Sequence, residues 1–142
     1  MTVLDASAVV ALLVDEPGGA EVLRILHRPV TTFISSVNLA EVIDVLGRRT
    51  LDIEQVEREV ELLLHGGLEV VAADETVGRD AGRLLAAHYH RRHRNVALGD
   101  CFAIATTTRV SGPLVTSDRA LAEAAGSEGV EVVLIGASRG RT

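Results

Sequence analysis

The chain has 142 residues, 47% of them hydrophobic, enough for the core of one domain, and its 20 acids against 14 bases give a formal net charge of -6. So acidic a chain has no overall attraction for a polyanion, an aromatic fraction of 2% leaves few rings for base stacking, and one cysteine excludes an intramolecular disulfide and a thiolate zinc site. All 14 bases are arginine, and the missing lysine excludes a P-loop, a Schiff-base lysine and the lysine of receiver-type phosphorelay domains.

Thr2-Val3-Leu4 is apolar without polar alternation, the pattern of a strand buried on both faces. Asp5 ends it, and Ser7 to Leu13 is a small-residue helical run with Ser7 placed to cap or line its start. Asp15-Glu-Pro-Gly-Gly19 is a break, and the apolar spacing over Ala20 to His27 predicts the second arm of a helical hairpin. Thr31 to Ser35 is a second strand, and Ser36 opens a helix through about Arg48 that contains Glu41. Asp52 with Gln55 resembles a capping box for a helix that stops at Gly66-Gly67. Leu68 to Ala72 is a third strand. Asp74 or Glu75 then starts a helix that runs into the basic stretch His88-Tyr-His-Arg-Arg-His-Arg94. Leu98-Gly99-Asp100 opens a helix through about Arg109, Pro113 to Thr116 is a fourth strand, Asp118 opens an alanine-rich helix, and Val130 to Ile135 is a fifth strand. Strands alternating with helices predict an α/β sandwich with a mainly parallel sheet, a single domain over 1–142 with a short Gly/Arg tail from about 136.

Four acids recur at equivalent places relative to that sheet. Asp5 follows strand one, Glu41 lies early in the helix after strand two, Asp100 opens a helix, and Asp118 follows strand four. Side chains on a helix lean toward its N-terminus, so the longer glutamate can reach back to the strand edge. Carboxylates without Cys or His suit Mg²⁺ or Mn²⁺, which activate water for attack on a phosphodiester. Each acid also has a plainer reading: Asp5, Asp100 and Asp118 as helix N-caps, and Glu41 as part of a solvated stripe with Asn38, Asp44 and Arg48.

Val3-Leu-Asp5-Ala-Ser7-Ala8, Ser35-Ser-Val-Asn-Leu-Ala-Glu41-Val, Leu98-Gly-Asp100-Cys-Phe-Ala-Ile-Ala105 and Leu114-Val-Thr116-Ser-Asp118, in this order over nearly the whole chain, resemble the PIN domain, specifically the VapC toxin ribonucleases of toxin-antitoxin pairs. The resemblance implies a three-layer sandwich with a five-stranded, mainly parallel sheet flanked by helices. It implies that Asp5, Glu41, Asp100 and Asp118 are the metal-binding catalytic acids, with Ser7 and Thr116 as supporting polar residues and Mg²⁺ or Mn²⁺ as cofactor. The implied activity is endoribonuclease cleavage by the toxin of a type II pair, and the implied partners are RNA, a VapB-like antitoxin laid over the acidic groove, and a second copy of the chain. Arg91, Arg92 and Arg94 are candidate RNA backbone contacts, with a solvated helix end as the plainer reading.

Alternatives carry different signatures. A receiver-like signalling domain shares the acid after strand one and Thr116-Ser117 after strand four, but it lacks its lysine here and Ala72-Ala73 stands where its phosphoacceptor belongs. A PIN module that only binds conflicts with four intact acids. A housekeeping PIN nuclease without an antitoxin is the nearest rival, separated by whether an antitoxin-like reading frame lies upstream. His88, His90 and His93 do not align on one helix face as ligands for a soft metal, and Cys101 reads as a small buried hydrophobe. With no apolar run near the roughly 18 residues of a membrane span and no signal-like start, a cytoplasmic protein is expected, and the resemblance implies a bacterial one.

Overall fold

The computed structural model describes residues 1–88 and 96–136. Within them the chain runs β1 (Thr2–Leu4), α1 (Ala6–Leu13), α2 (Gly19–Leu26), β2 (Thr32–Ser35), α3 (Ser36–Thr50), α4 (Ile53–His65), β3 (Leu68–Val71), α5 (Glu75–His88), α6 (Leu98–Val110), β4 (Leu114–Thr116), α7 (Arg119–Ser127) and β5 (Val132–Leu134). The five strands are all parallel, in the order β3-β2-β1-β4-β5. A receiver sheet follows the doubly wound order 2-1-3-4-5, so the topology excludes that alternative.

Adjacent residues of a strand face opposite ways, and the core divides accordingly. Leu4, Ile34, Val115 and Leu68 point to one face, against α1 to α4. Val3 and Leu114 point to the other, against Ala103 and Ile104 of α6 and Leu121, Ala124 and Ala125 of α7. Val77 and Ala81 of α5 pack on Cys101 and Ala105 of α6, which completes the third layer. None of the described helices is long and apolar enough to cross a membrane.

Helix ends follow local chemistry. Asp5, rather than Ser7, caps α1, its carboxylate accepting from the Ala8 N–H at 3.0 Å. Asp52 caps α4 through Gln55 N–H at 3.1 Å, but the Gln55 side chain turns to Glu59 and Arg58, so the box is only half formed. α3 runs on to Thr50 and closes with Leu51 in a left-handed conformation (φ 57°).

The chain steps from β1 outward to β2 and β3, then crosses back to β4 and β5 on the other side of β1. The direction of winding therefore reverses between β1 and β4. Outside the carboxyl ends of strands at such a switch point an open α/β sheet leaves a crevice between diverging connections. Asp5 and Asp118 follow the two strands that border it.

Candidate functional site

At the switch point, the residues after β1 and β4 are tied into one polar unit. Asp5 is buried, and its carboxylate accepts from Ser7 Oγ at 2.8 and 3.0 Å, from Thr116 Oγ1 at 2.8 Å and from the Ala8 N–H. Ser7 and Thr116 lie 3.2 Å apart. Their oxygens also accept the backbone N–H groups of Ser117 and Asp118, so the turn after β4 hangs on the same two hydroxyls. Asp118 in turn caps α7 through Ala120 and Leu121 N–H.

The other two acids come from opposite faces of the sheet. Glu41 sits in the second turn of α3, and its Oε1 accepts from Asn38 Nδ2 at 2.8 Å. The same Nδ2 donates to the Gly99 carbonyl at 3.1 Å, joining α3 to the first turn of α6. There Asp100 folds back so that Oδ2 accepts the Ala97 N–H at 2.9 Å. Gly99 is required by this approach, because a Cβ built on it would collide with the Glu41 carboxylate.

All four acids line one cleft of about 420 Å³, within the range of ligand pockets. Burial, opposed by the Ser7, Thr116 and Ala8 hydrogen bonds, pushes the Asp5 carboxyl up to about 6, and the Asp100 charge pushes the same way. Asp100 is likewise raised, first by burial and then by the charges of Asp118 and Glu41. Asp100 is thus the electrostatic hub of the four. Among the described residues no cationic side chain forms an ion pair with any of them.

The donor set fits a hard cation. Glu41, Asp100 and Asp118 each spend one oxygen on an anchoring hydrogen bond, and their Oε2, Oδ1 and Oδ2 accept none among the described residues. One oxygen positions the side chain while the other is left to ligate. No three His, Cys, Asp or Glu side chains of the described residues stand at ligating separation. Carboxylates that repel one another, each drawn to its own backbone or amide donor, hold apart in this way.

Capping and convergence, posed as rivals by the sequence, coexist. Asp5 and Asp118 cap helices and still face the cleft, and Asp100 closes the first turn of α6 from within it. The solvated-stripe reading of Glu41 fails because Asn38, its supposed stripe partner, is 2% exposed and bonded to it. Asp44 and Arg48 do pair in solvent. Arg91, Arg92 and Arg94, with His90 and His93, lie outside the described residues, as does the tail beyond Gly136. His88 is buried and meets Glu128 at 2.9 Å, a structural pair rather than a free ligand. Cys101 is fully buried and its thiol is pushed up to about 11, chiefly by that burial, so it is inert. Sequence reasoning missed Asn38 and Gly99 as site residues, although the Asn38-x-x-Glu41 spacing, one helical turn, carried a signal.

Residues 2–127 match the model of the PIN domain family. A ribonuclease VapC of Mycolicibacterium smegmatis is 37% identical over 114 residues, covering 78% of this chain and 84% of that protein. Among solved structures, VapBC2 from Rickettsia felis bound to a DNA fragment from its promoter superposes with a TM-score of 0.72 at 17% identity, over 94% of this chain and 98% of that one. DNA-bound VapBC from Salmonella typhimurium gives 0.72 at 20% identity, over 93% and 96%. The sarcin-ricin loop cleaving toxin VapC20 of Mycobacterium tuberculosis gives 0.68 at 16%, over 87% and 95%.

Proposed function

The chain belongs to the PIN domain family, and from that premise we propose that it is a metal-dependent endoribonuclease, the toxin of a type II toxin-antitoxin pair. The observation that carries this reading is the convergence of Asp5, Glu41, Asp100 and Asp118 on one cleft at the sheet's switch point, with none of them in an ion pair among the described residues. The likeness to a ribonuclease VapC supports RNA as substrate.

In this reading Asp5, Glu41, Asp100 and Asp118 hold Mg²⁺ or Mn²⁺, which supplies an activated water and offsets charge on the phosphoryl group at cleavage. Ser7 and Thr116 orient Asp5, and Asn38 orients Glu41, so that the carboxylates already face the cleft and need only draw together on the cation. The whole of 1–142 acts as one nuclease domain, active in the cytoplasm as a homodimer and silenced by a VapB-like antitoxin, a pairing supported by likeness to VapBC assemblies.

Purified protein incubated with RNA tests the chemistry. Cleavage is expected with Mg²⁺ or Mn²⁺, none in excess chelator, and a loss of about a hundredfold or more in Asp100→Asn, which keeps the shape but removes a negative ligand. Undiminished cleavage by that variant, or by wild type in chelator, overturns the metal mechanism. Co-expression with an upstream antitoxin-like frame should give an inactive complex, and its failure to bind favours a housekeeping nuclease.

A further inference from the structure

A nuclease with net charge -6 and an acidic cleft must find counter-charge for its substrate's phosphates locally. The same cleft that holds the four acids is lined, further along α3, by Arg48 and Arg49. Both guanidiniums are held over it by acids that also line it. Arg48 forms a two-pronged pair with Asp44 at 2.7 and 3.0 Å, and Arg49 reaches Glu16 at 3.1 Å. The two arginines are 73% and 50% exposed, and ion pairs in such surroundings are weak and easily exchanged. A phosphate offers a guanidinium the same planar, two-pronged geometry as a carboxylate.

The cleft does not end at the acids. A second cavity of about 420 Å³ borders the turn after β4, lined by Ser117, Arg119 and Glu16. Glu16 belongs to both walls, and Ser117 and Asp118 are consecutive, so the two hollows meet along the carboxyl edge of the sheet. Arg119 is exposed and makes no ion pair among the described residues. Neither cavity is lined by an aromatic ring, so a strand lying there is gripped by its backbone rather than by stacked bases.

We infer that Arg48, Arg49 and Arg119 grip successive phosphates of one RNA strand that crosses the carboxyl edge of the sheet beside the four acids, Asp44 and Glu16 acting as stand-in anions that the strand displaces. The inference rests on the nuclease reading and extends it from the cutting point to the path of the strand. It sets a positive track beside the acids, in which binding and cleavage are carried by different residues.

Binding is measured by fluorescence anisotropy of a short, mixed-sequence, labelled single-stranded RNA in chelator, over a range of salt concentrations. Each phosphate contact removed lowers the slope of log affinity against log salt by about 0.7. The triple variant Arg48→Gln, Arg49→Gln, Arg119→Gln should therefore bind more weakly, with a slope shallower by about 2. Asp44→Asn should tighten binding, and that gain should vanish when Arg48→Gln is also present. KM for RNA cleavage should rise in the triple variant. An unchanged slope with wild-type affinity overturns the track, and so does weakened capture of a VapB-like peptide alongside unaltered RNA binding. If RNA binds with the expected slopes but is never cut in Mg²⁺ or Mn²⁺, the track stands and the nuclease reading falls. If wild type binds no RNA, both fall.

Discussion

Asn38 donates through one buried Nδ2 to both Glu41 Oε1 and the carbonyl of Gly99, 61 residues away, so a single amide ties an acid of α3 to the helix that carries Asp100. Asn38→Leu keeps the bulk but leaves the carbonyl and one carboxylate oxygen without a donor. Stability should fall by about 1–3 kcal/mol. Cleavage should fall further than folding does, by roughly 10- to 100-fold, because Glu41 loses the group that aims it. Thermal melts and kcat/KM of the variant check this, and a wild-type cleavage rate would mean that Glu41 needs no anchor.

Gly99→Ala tests the same junction from the other side. The added methyl collides with the end of the Glu41 side chain rather than with backbone, so the fold can adapt by swinging the carboxylate away. The expected outcome is a stability change of about 1 kcal/mol or less with an activity loss close to that of Glu41→Gln. A variant that melts normally and cleaves as wild type would place Glu41 outside the working site.

Much of this arrangement is legible from the residues in order, and the exceptions share a cause. Asp5 and Asp118 announce themselves because a strand that stops at an acid and hands over to a helix is a local pattern. The sheet follows from the alternation of elements, but the order β3-β2-β1-β4-β5, which puts β1 beside β4, is decided by packing that no short window contains. Asn38 is the clearest case. Its spacing to Asp44 and Arg48 suits a wet helix face, and it is buried only because α6, from the opposite layer, ends its approach there. Capping cannot be told from ligation by sequence, since Asp118 does the first with one oxygen and keeps the other without a hydrogen bond among the described residues.

Uncompensated acids make the fold respond to the cation they are proposed to hold. A metal that binds only the folded state stabilises it by about 2.7 kcal/mol at a hundredfold excess over its dissociation constant. For a domain of this size that is a rise in Tm of roughly 5–10 °C. Wild type should show it with millimolar Mn²⁺ or Mg²⁺, and Asp100→Asn should show much less. Equal shifts in both proteins would assign the effect to cation binding elsewhere.

The last expectation concerns pH and Asp5, whose carboxyl is raised to about 6 mainly by burial. In the unfolded chain the same group has a pKa near 3.9. Below about pH 4 both states hold the proton and the group is neutral toward folding. Between about 4 and 6 the unfolded state gives up its proton first, so ionisation favours unfolding, and above 6 the penalty is complete. A shift of this size corresponds to about 3 kcal/mol. Asp100, raised for the same first reason, adds in the same direction. In chelator, wild type should therefore melt higher at pH 5 than at pH 7. Asp5→Asn removes the charge, keeps an oxygen for the Ala8 N–H, and leaves Ser7 and Thr116 bonded to the turn after β4. It should melt above wild type at pH 7, with a smaller rise toward pH 5, and it should lose cleavage. If it instead melts lower at pH 7, and wild type is flat between pH 5 and 7, the Ser7, Thr116 and Ala8 hydrogen bonds outweigh burial and Asp5 is a stabilising cap first. That outcome would separate the cap from the ligand, because a buried acid retained for a cation is expected to destabilise the fold until the cation arrives.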